Sequence, residues 1–237
     1  KIINGDLRLL GSKNKPVHLG PLVKNNFWKG VYVFNSKNSK IMNSIIKNIT
    51  FFEDGNFIKL TGGINFHSSL LDIDNVVIEN VTSEDAINIT KSKFSIKNLT
   101  IANTTSDAID TDFSEGEINF FSGNNIKGDA IDTSGSKITV IGSHLTNIGD
   151  KGISVGEASD LIIEDTIIEN SAIGIAIKDR SVAKIKNLNF KNNKKDISLY
   201  RKKSFYNFGG SLFIQKKDMQ GIKIEKDKFS EILNYAQ

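Results

Sequence analysis

Six side chains in the middle of this 237-residue chain have the types and the spacing for acid–base chemistry: Asp107, Asp110, Asp129, Asp132, Lys151 and Lys178. Asp107 and Asp129 are 22 positions apart, and so are Asp110 and Asp132. If that period stacks one stretch of chain on the next, each pair stands about one strand spacing, ~4.8 Å, apart. Two ionised carboxylates so placed repel by about 3 kcal/mol at an effective dielectric near 20. A bound cation, a neighbouring Lys or a carboxyl held protonated would relieve this. The first makes Asp110 and Asp132 candidate ligands of Ca²⁺, which takes hard oxygen donors. The third is a general acid poised beside a base, as glycoside chemistry on paired carboxylates requires. Lys151 and Lys178 lie beyond Asp132 and can abstract a proton or clamp a substrate carboxylate. Asp112, Glu157, Asp179, Arg180, Lys202 and Lys203 are the candidate substrate contacts around them. A plainer reading stands beside each. An Asp before a strand, as at Asp85, Asp107, Asp129 and (with a one-residue slip) Asp150, accepts backbone N–H groups in a turn. A Lys beside an acidic belt serves equally as its solvated counter-charge.

The elements that would position these groups follow from a repeat. From Glu84 the chain reads EDAINITKSKFSIKNLTIANTT, SDAIDTDFSEGEINFFSGNNIK, GDAIDTSGSKITVIGSHLTNI, GDKGISVGEASDLIIEDTIIENS and AIGIAIKDRSVAKIKNLNFKNNK. Two looser units start at Trp28 and Asn56. Within each unit short stretches alternate apolar and polar, the period of strands and not of helices. Ile87, Ile109, Ile131, Ile153 and Ile175 form an inward column, while Asn80, Asn103, Asn125, Asn147, Asn170 and Asn192 recur at turns. Stacked amides at the strand spacing can hydrogen-bond up the stack. The expectation is an all-β fold, a single-stranded right-handed parallel β-helix of about eight or nine coils. It spans residues 1–214, and a C-terminal cap spans 215–237, where DKFSEILNYAQ would form a short amphipathic helix or a strand. Lys1 falls in a strand-like stretch, which points to a domain upstream in the native chain.

Composition agrees. The chain has 35 Ile, a strand former, and 26 Asn, which tolerates turn backbone conformations. There is no Cys, so thiol nucleophiles and thiolate metal sites are excluded. No apolar run reaches the ~18 residues a membrane span needs. The net charge of +4 hides a segregation, since residues 101–170 carry 3 basic and 13 acidic side chains and residues 171–237 carry 15 and 6. A basic tract abutting an acidic belt, with no aromatic-interleaved basic motif, argues against a nucleic-acid partner. His18, His67 and His144 form no catalytic or metal-binding spacing. The acidic run 114–117 reads as a loop insertion beside Asp112, a lid or plain surface.

At these residues the chain resembles the right-handed β-helix carbohydrate-active proteins, the pectate-lyase-like superfamily, from Trp28 to about Ile214. Its stretches TSDAID at 105–110, GDAIDT at 128–133, DKGISVG at 150–156 and AIK at 176–178 are similar to the motifs of polygalacturonase-type glycoside hydrolases. The resemblance matches Asp107 to the acidic residue of the first motif, Asp129 to the second carboxylate of the paired motif, and Lys178 to the substrate-binding lysine. Gly128 replaces one catalytic carboxylate, Lys151 the histidine and Ala176 the arginine. The β-helix uronate lyases and C5-epimerases offer the second template, in which Ca²⁺ or basic groups neutralise a uronate carboxylate and a base takes the C5 proton. The resemblance implies a secreted, periplasmic or cell-surface protein acting on an acidic polysaccharide, with lyase or epimerase chemistry favoured over hydrolysis. The alternative is a non-catalytic β-helix stalk or carbohydrate-binding module of a larger surface protein. A groove walled by 114–117 and by the YRKK segment would favour the enzyme, and a flat ladder the scaffold.

Overall fold

The structure, a computed structural model, describes residues 1–23, 25–54 and 58–234. It is a right-handed parallel β-solenoid of about eight turns. Each coil lays strands on three faces. The first face stacks Val31–Phe34, Gly62–His67, Asp85–Thr90, Asp107–Asp112, Ile131–Ser134, residues 151–156 and 173–178, Lys195–Tyr200 and Ile224–Lys226. The second runs from Arg8–Leu10 through residues 93–97 and Glu115–Asn119 to Glu231–Asn234. The third carries residues such as 99–104 and Ser122–Ile126. Every pairing is parallel among the described residues, save the hairpin Phe52–Asp54 with Ile58–Leu60 and a bridge between Ser12 and Lys15.

The inward column is longer than the sequence period shows. Ile64 and Ile197 extend Ile87, Ile109, Ile131, Ile153 and Ile175 at its two ends, and all seven are at most 1% exposed. Stacked β-branched side chains suit this interior, because each coil repeats the last at one strand spacing. The corners explain the Asn content. Asn48, Asn80, Asn103, Asn125, Asn147, Asn170 and Asn192 all turn with φ between 55° and 60°. This left-handed conformation suits Asn better than any other residue with a side chain. Their amides hydrogen-bond up the stack as expected, from Asn80 to Asn48 at 3.0 Å and from Asn125 to Asn103 at 2.7 Å, although Asn147 donates to Asn124.

A second ladder is buried. Ser36, Ser69, Ser92, Ser114, Ser136, Ser159 and Ser181 follow the corner between the first and second faces. In each of the first six, the backbone N–H donates to the hydroxyl of the next serine, at 2.9–3.2 Å. The hydroxyl thus satisfies a backbone donor that the turn takes out of the strand ladder. The boundary expected at 214 is not a break in the stack. Ile224–Lys226 pairs in parallel with Lys195–Tyr200, and Glu231–Asn234 with Ser211–Ile214. Only a 3-10 turn at Lys216–Met219 interrupts this last coil, and of the helix or strand expected over DKFSEILNYAQ it is the strand that forms, at Glu231–Asn234. Asn56, where the second loose unit starts, and residues 235–237 lie outside the described residues.

Candidate functional site

The six chemistry-bearing residues lie on the first face, and a kink in its strands puts them there. Strict alternation would point Asp107 and Asp110 to opposite sides. The ladder instead pairs Asp85 with Asp107 and Ile87 with Ile109, skipping Ala86 and Ala108, which are buried. Residues three apart therefore share the outer side, as the hydrogen bond from the Asn88 amide to Asp85 at 3.2 Å shows. Ala130 repeats the pattern between Asp129 and Asp132. Two successive Asp-Ala-Ile-Asp units thus stack four carboxylates, with Asp110 in register with Asp132 and Asp112 with Ser134.

Burial and crowding push Asp85, Asp107, Asp110, Asp112 and Asp129 up. Asp110 rises to about 9, first through burial and then through the charges of Asp85, Asp112, Asp132 and Asp107. Its one hydrogen bond among the described residues comes from the Asn88 amide, at 3.1 Å. Asp107 rises to about 7 and Asp85 to about 6, burial again leading. Asp112 and Asp129 are raised by burial as well, Asp129 less than it would be without the adjacent Lys151 charge. At neutral pH Asp110 is accordingly held protonated, with Asp107 beside it close to half-ionised. Asp107 and Asp129 also build the stack. Asp107 Oδ1 accepts the Asp129 N–H at 2.7 Å, and Asp129 Oδ1 accepts the Lys151 N–H at 2.9 Å. The capping expected of these residues is therefore made between coils, not within a local turn. Gly128 leaves Asp107 its room, since a Cβ there would sit 1.9 Å from Asp107 Oδ1.

The column Asp85, Asp107, Asp129 continues with Lys151 and not with Asp150, so the expected one-residue slip is not taken. An irregularity between Ile148 and Lys151 shifts the register against the next coil and leaves Asp150 on the outside. Lys151 Nζ lies 3.3 Å from Asp129 Oδ1 and 2.5 Å from Asp150 Oδ2. Burial pulls its pKa down, but the Asp150 hydrogen bond and the Asp129 and Asp150 charges outweigh that and leave it raised. Lys151 is thus a fixed cation and a poor base. Lys178 is the opposite. It is 6% exposed and has no hydrogen bond or ion pair among the described residues, and its ammonium leans over Gly156, where a Cβ would stand 3.5 Å from Nζ. Burial lowers its pKa, the Asp132 charge opposing and the Lys202 and Lys151 charges adding to the fall. Such a Lys is suited to proton abstraction.

Around this centre the expected contacts divide. Lys203 Nζ pairs with Glu157, and the Lys202 charge bears on Lys178, so the 201–209 segment flanks the C-terminal end of the face. Asp179 is buried. Its Oδ1 accepts the N–H groups of Lys202 and Lys203 at 2.7 and 2.9 Å, so it positions that segment. Arg180 is exposed and lines a separate depression with Val182, Phe208 and Phe229. The run 114–117 forms no insertion. Ser114 belongs to the buried ladder, and Glu115–Asn119 is a regular strand of the second face, with Glu115 and Glu117 beside Lys93 and Lys97. The groove therefore has the YRKK wall and lacks the other. Ser154, not among the expected site residues, follows Asp132 in its column and is fully buried, its hydroxyl without a partner among the described residues. Its place 22 residues after Asp132 was the available signal.

Three carboxylates, Asp107, Asp129 and Asp132, each offer an oxygen within 4.8 Å of the others. Hard, acceptor-only donors at that spacing fit Ca²⁺, and the set differs from the expected pair by including Asp107 and Asp129 in place of Asp110.

A parallel β-solenoid with a carboxylate–lysine cluster on one face is the class that fold and site define. The chain belongs to the right handed beta helix family, whose model matches residues 30–234. No curated protein matches it. Among solved structures it is similar to the enzymatically active domain of tailspike protein 2 of bacteriophage CBA120, at 12% identity and a TM-score of 0.59, covering 97% of this chain and 43% of that one. It is also similar to a pectate lyase from Paenibacillus sp. 0602, at 11% identity and a TM-score of 0.52, covering 89% of this chain and 70% of that one. The chain thus spans less than half the length of the tailspike domain, and at these identities the likeness is one of fold. No helix among the described residues is long and apolar enough to cross a membrane.

Proposed function

We propose that this chain acts on an acidic polysaccharide outside the cytoplasm, secreted, periplasmic or at the cell surface, by abstracting a proton α to a uronate carboxylate, as a lyase or C5-epimerase. The observation that carries the reading is Lys178, a buried, unpaired ammonium with a lowered pKa beside Asp132. In its neutral form Lys178 takes the C5 proton. Lys151, held charged by Asp129 and Asp150, and Lys202 face the sugar carboxylate and stabilise the negative charge that proton loss places on it. Asp110, protonated and in register with Asp132, holds the proton that a leaving glycosidic oxygen takes in elimination. Return of a proton to C5 from the opposite side gives epimerisation instead. Ca²⁺ held by Asp107, Asp129 and Asp132 would neutralise the cluster and attract the uronate. The pectate lyase likeness in fold is consistent with this reading.

Time-resolved proton NMR in D₂O with uronate-containing polysaccharides, with and without Ca²⁺, tests it. Alkene protons or H5 exchange are expected, and both disappear in Lys178→Met. New reducing ends without either signal would replace the reading with hydrolysis. A silent series would leave the scaffold or binding module.

A further inference from the structure

The first face changes character along the solenoid axis. On the N-terminal side of the carboxylates a cavity of about 300 Å³ opens, lined by Tyr32, Asn65, His67, Asn88, Thr90 and Asp112. That volume is at the lower end for small-ligand sites. The His67 ring stacks on Phe34 at 5.2 Å and holds Ser68 through Nδ1 at 2.9 Å, while its Nε2 has no partner among the described residues. Tyr32 is half-buried. Among the described residues the lining contains no Lys or Arg, and its one acidic group is Asp112. Lys1 Nζ lies 5.9 Å from the Tyr32 ring centroid and the Lys91 charge bears on His67, both lysines being exposed. Aromatic rings, an imidazole nitrogen, amides and a hydroxyl around a small hollow suit the mixed apolar and hydroxylated surface of an uncharged sugar. An anionic group there would meet Asp112 and the carboxylates beyond it. On the C-terminal side the order reverses, since Lys178 is unpaired and Lys202 acts on the same space.

Resting on the glycan reading above, we infer that the polysaccharide lies along the solenoid axis with a neutral sugar in the Tyr32–His67–Asn88 cavity and an anionic sugar at Lys178 and Lys202, so that the substrate class is a heteropolymer of neutral and anionic sugars and not a homopolyuronate. The test is a glycan array carrying neutral glucans, homopolyuronates and mixed uronate–neutral polysaccharides, followed by titration of the binders. Mixed glycans are expected to bind at least about tenfold, ~1.4 kcal/mol, more tightly than either homopolymer. Tyr32→Ala is expected to remove that preference with unchanged thermal unfolding, and His67→Ala serves if Tyr32→Ala does not fold. Equal or tighter binding of homopolyuronates, or a preference that survives both substitutions, overturns the inference while leaving the glycan reading in place. Silence across the whole array overturns both.

Discussion

Replacing Asp110 by Asn should make the protein more stable, increasingly so as the pH rises. The native Asp110 carboxyl titrates near 9 against 3.8 for an unburdened one. The folded state therefore holds a proton there that the unfolded chain releases, and stability falls as pH climbs from 3.8 to about 9. Each pH unit in that window costs the wild type up to about 1.4 kcal/mol from this one group. At pH 7 the wild type and Asp110→Asn both carry a neutral group at the position, and the Asn88 amide can donate to either. The difference resides in the unfolded wild type, whose carboxyl ionises freely. The expected gain for Asp110→Asn is about 2 kcal/mol at pH 5 and about 4 kcal/mol at pH 7, levelling off above pH 9. Equilibrium urea unfolding of both proteins at pH 5, 7 and 9 in chelator measures it. A stability difference that is flat with pH would show that Asp110 is ionised in the native state, and the account of it as a stored proton would fall. If Asp110 is the proton donor, the same substitution slows elimination about a hundredfold, the size typical of losing a general acid.

Two further substitutions probe the groups around it. Lys151→Met removes the cation from buried Asp129 while keeping the side chain's bulk, and should cost about 3 kcal/mol in urea unfolding at pH 7, because an uncompensated buried charge remains; a cost below about 1 kcal/mol would show that the pair is not structural. Ser114→Ala deletes the hydroxyl that accepts the Ser92 N–H at 3.1 Å and donates to the Ile89 carbonyl at 3.0 Å. Leaving those groups buried and unpaired should cost about 1–3 kcal/mol, and hydrogen exchange at Ser92 should accelerate in step.

The parts of this molecule legible in its sequence are those the stacking repeats. The 22-residue period places Asp110 against Asp132 and Ile109 against Ile131, as the register shows. What stayed hidden depends on breaks in the pattern. Asp150 matched the Asp column by residue type, but the 22-residue register holds from the coil before and gives the position to Lys151, where the Asp type breaks off. The contrast between the two lysines follows from where their side chains end, one between two carboxylates and one over a bare glycine. Neither shows in a spacing. From Ser69 onward the serine ladder recurs at 22 or 23 residues, as visibly as the Asn ladder, yet Ser is so common in turns that its recurrence carried no weight. The 114–117 run was misread because three polar residues and a glycine resemble a loop, whereas the outer side of the second face accepts charged residues at this corner, Lys93, Glu115 and Lys137 stacking in register.

The energetics of the carboxylate columns bear on the choice between a working surface and an inert stalk. Asn65 and Asn88 precede Asp110 and Asp132 in one column. The fold therefore accepts a neutral amide there, satisfied by its neighbours: Asn65 bonds the Gly62 and Val31 carbonyls and the Gly62 N–H, and Asn88 bridges Asp85 and Asp110. Changing the column from amide to carboxyl in the next two coils gains Asp110 no hydrogen bond among the described residues beyond that from Asn88, and lowers stability at neutral pH by an amount comparable to a sizeable part of a domain's net stability. A stalk under selection only for rigidity would have no reason to depart from the amide, because stacked amides reinforce one another and stacked carboxylates do not. Where a repeat abandons its own cheapest residue at one level of the stack, and does so beside an unpaired buried Lys, the destabilisation is better explained by what the face does than by how the solenoid stands up.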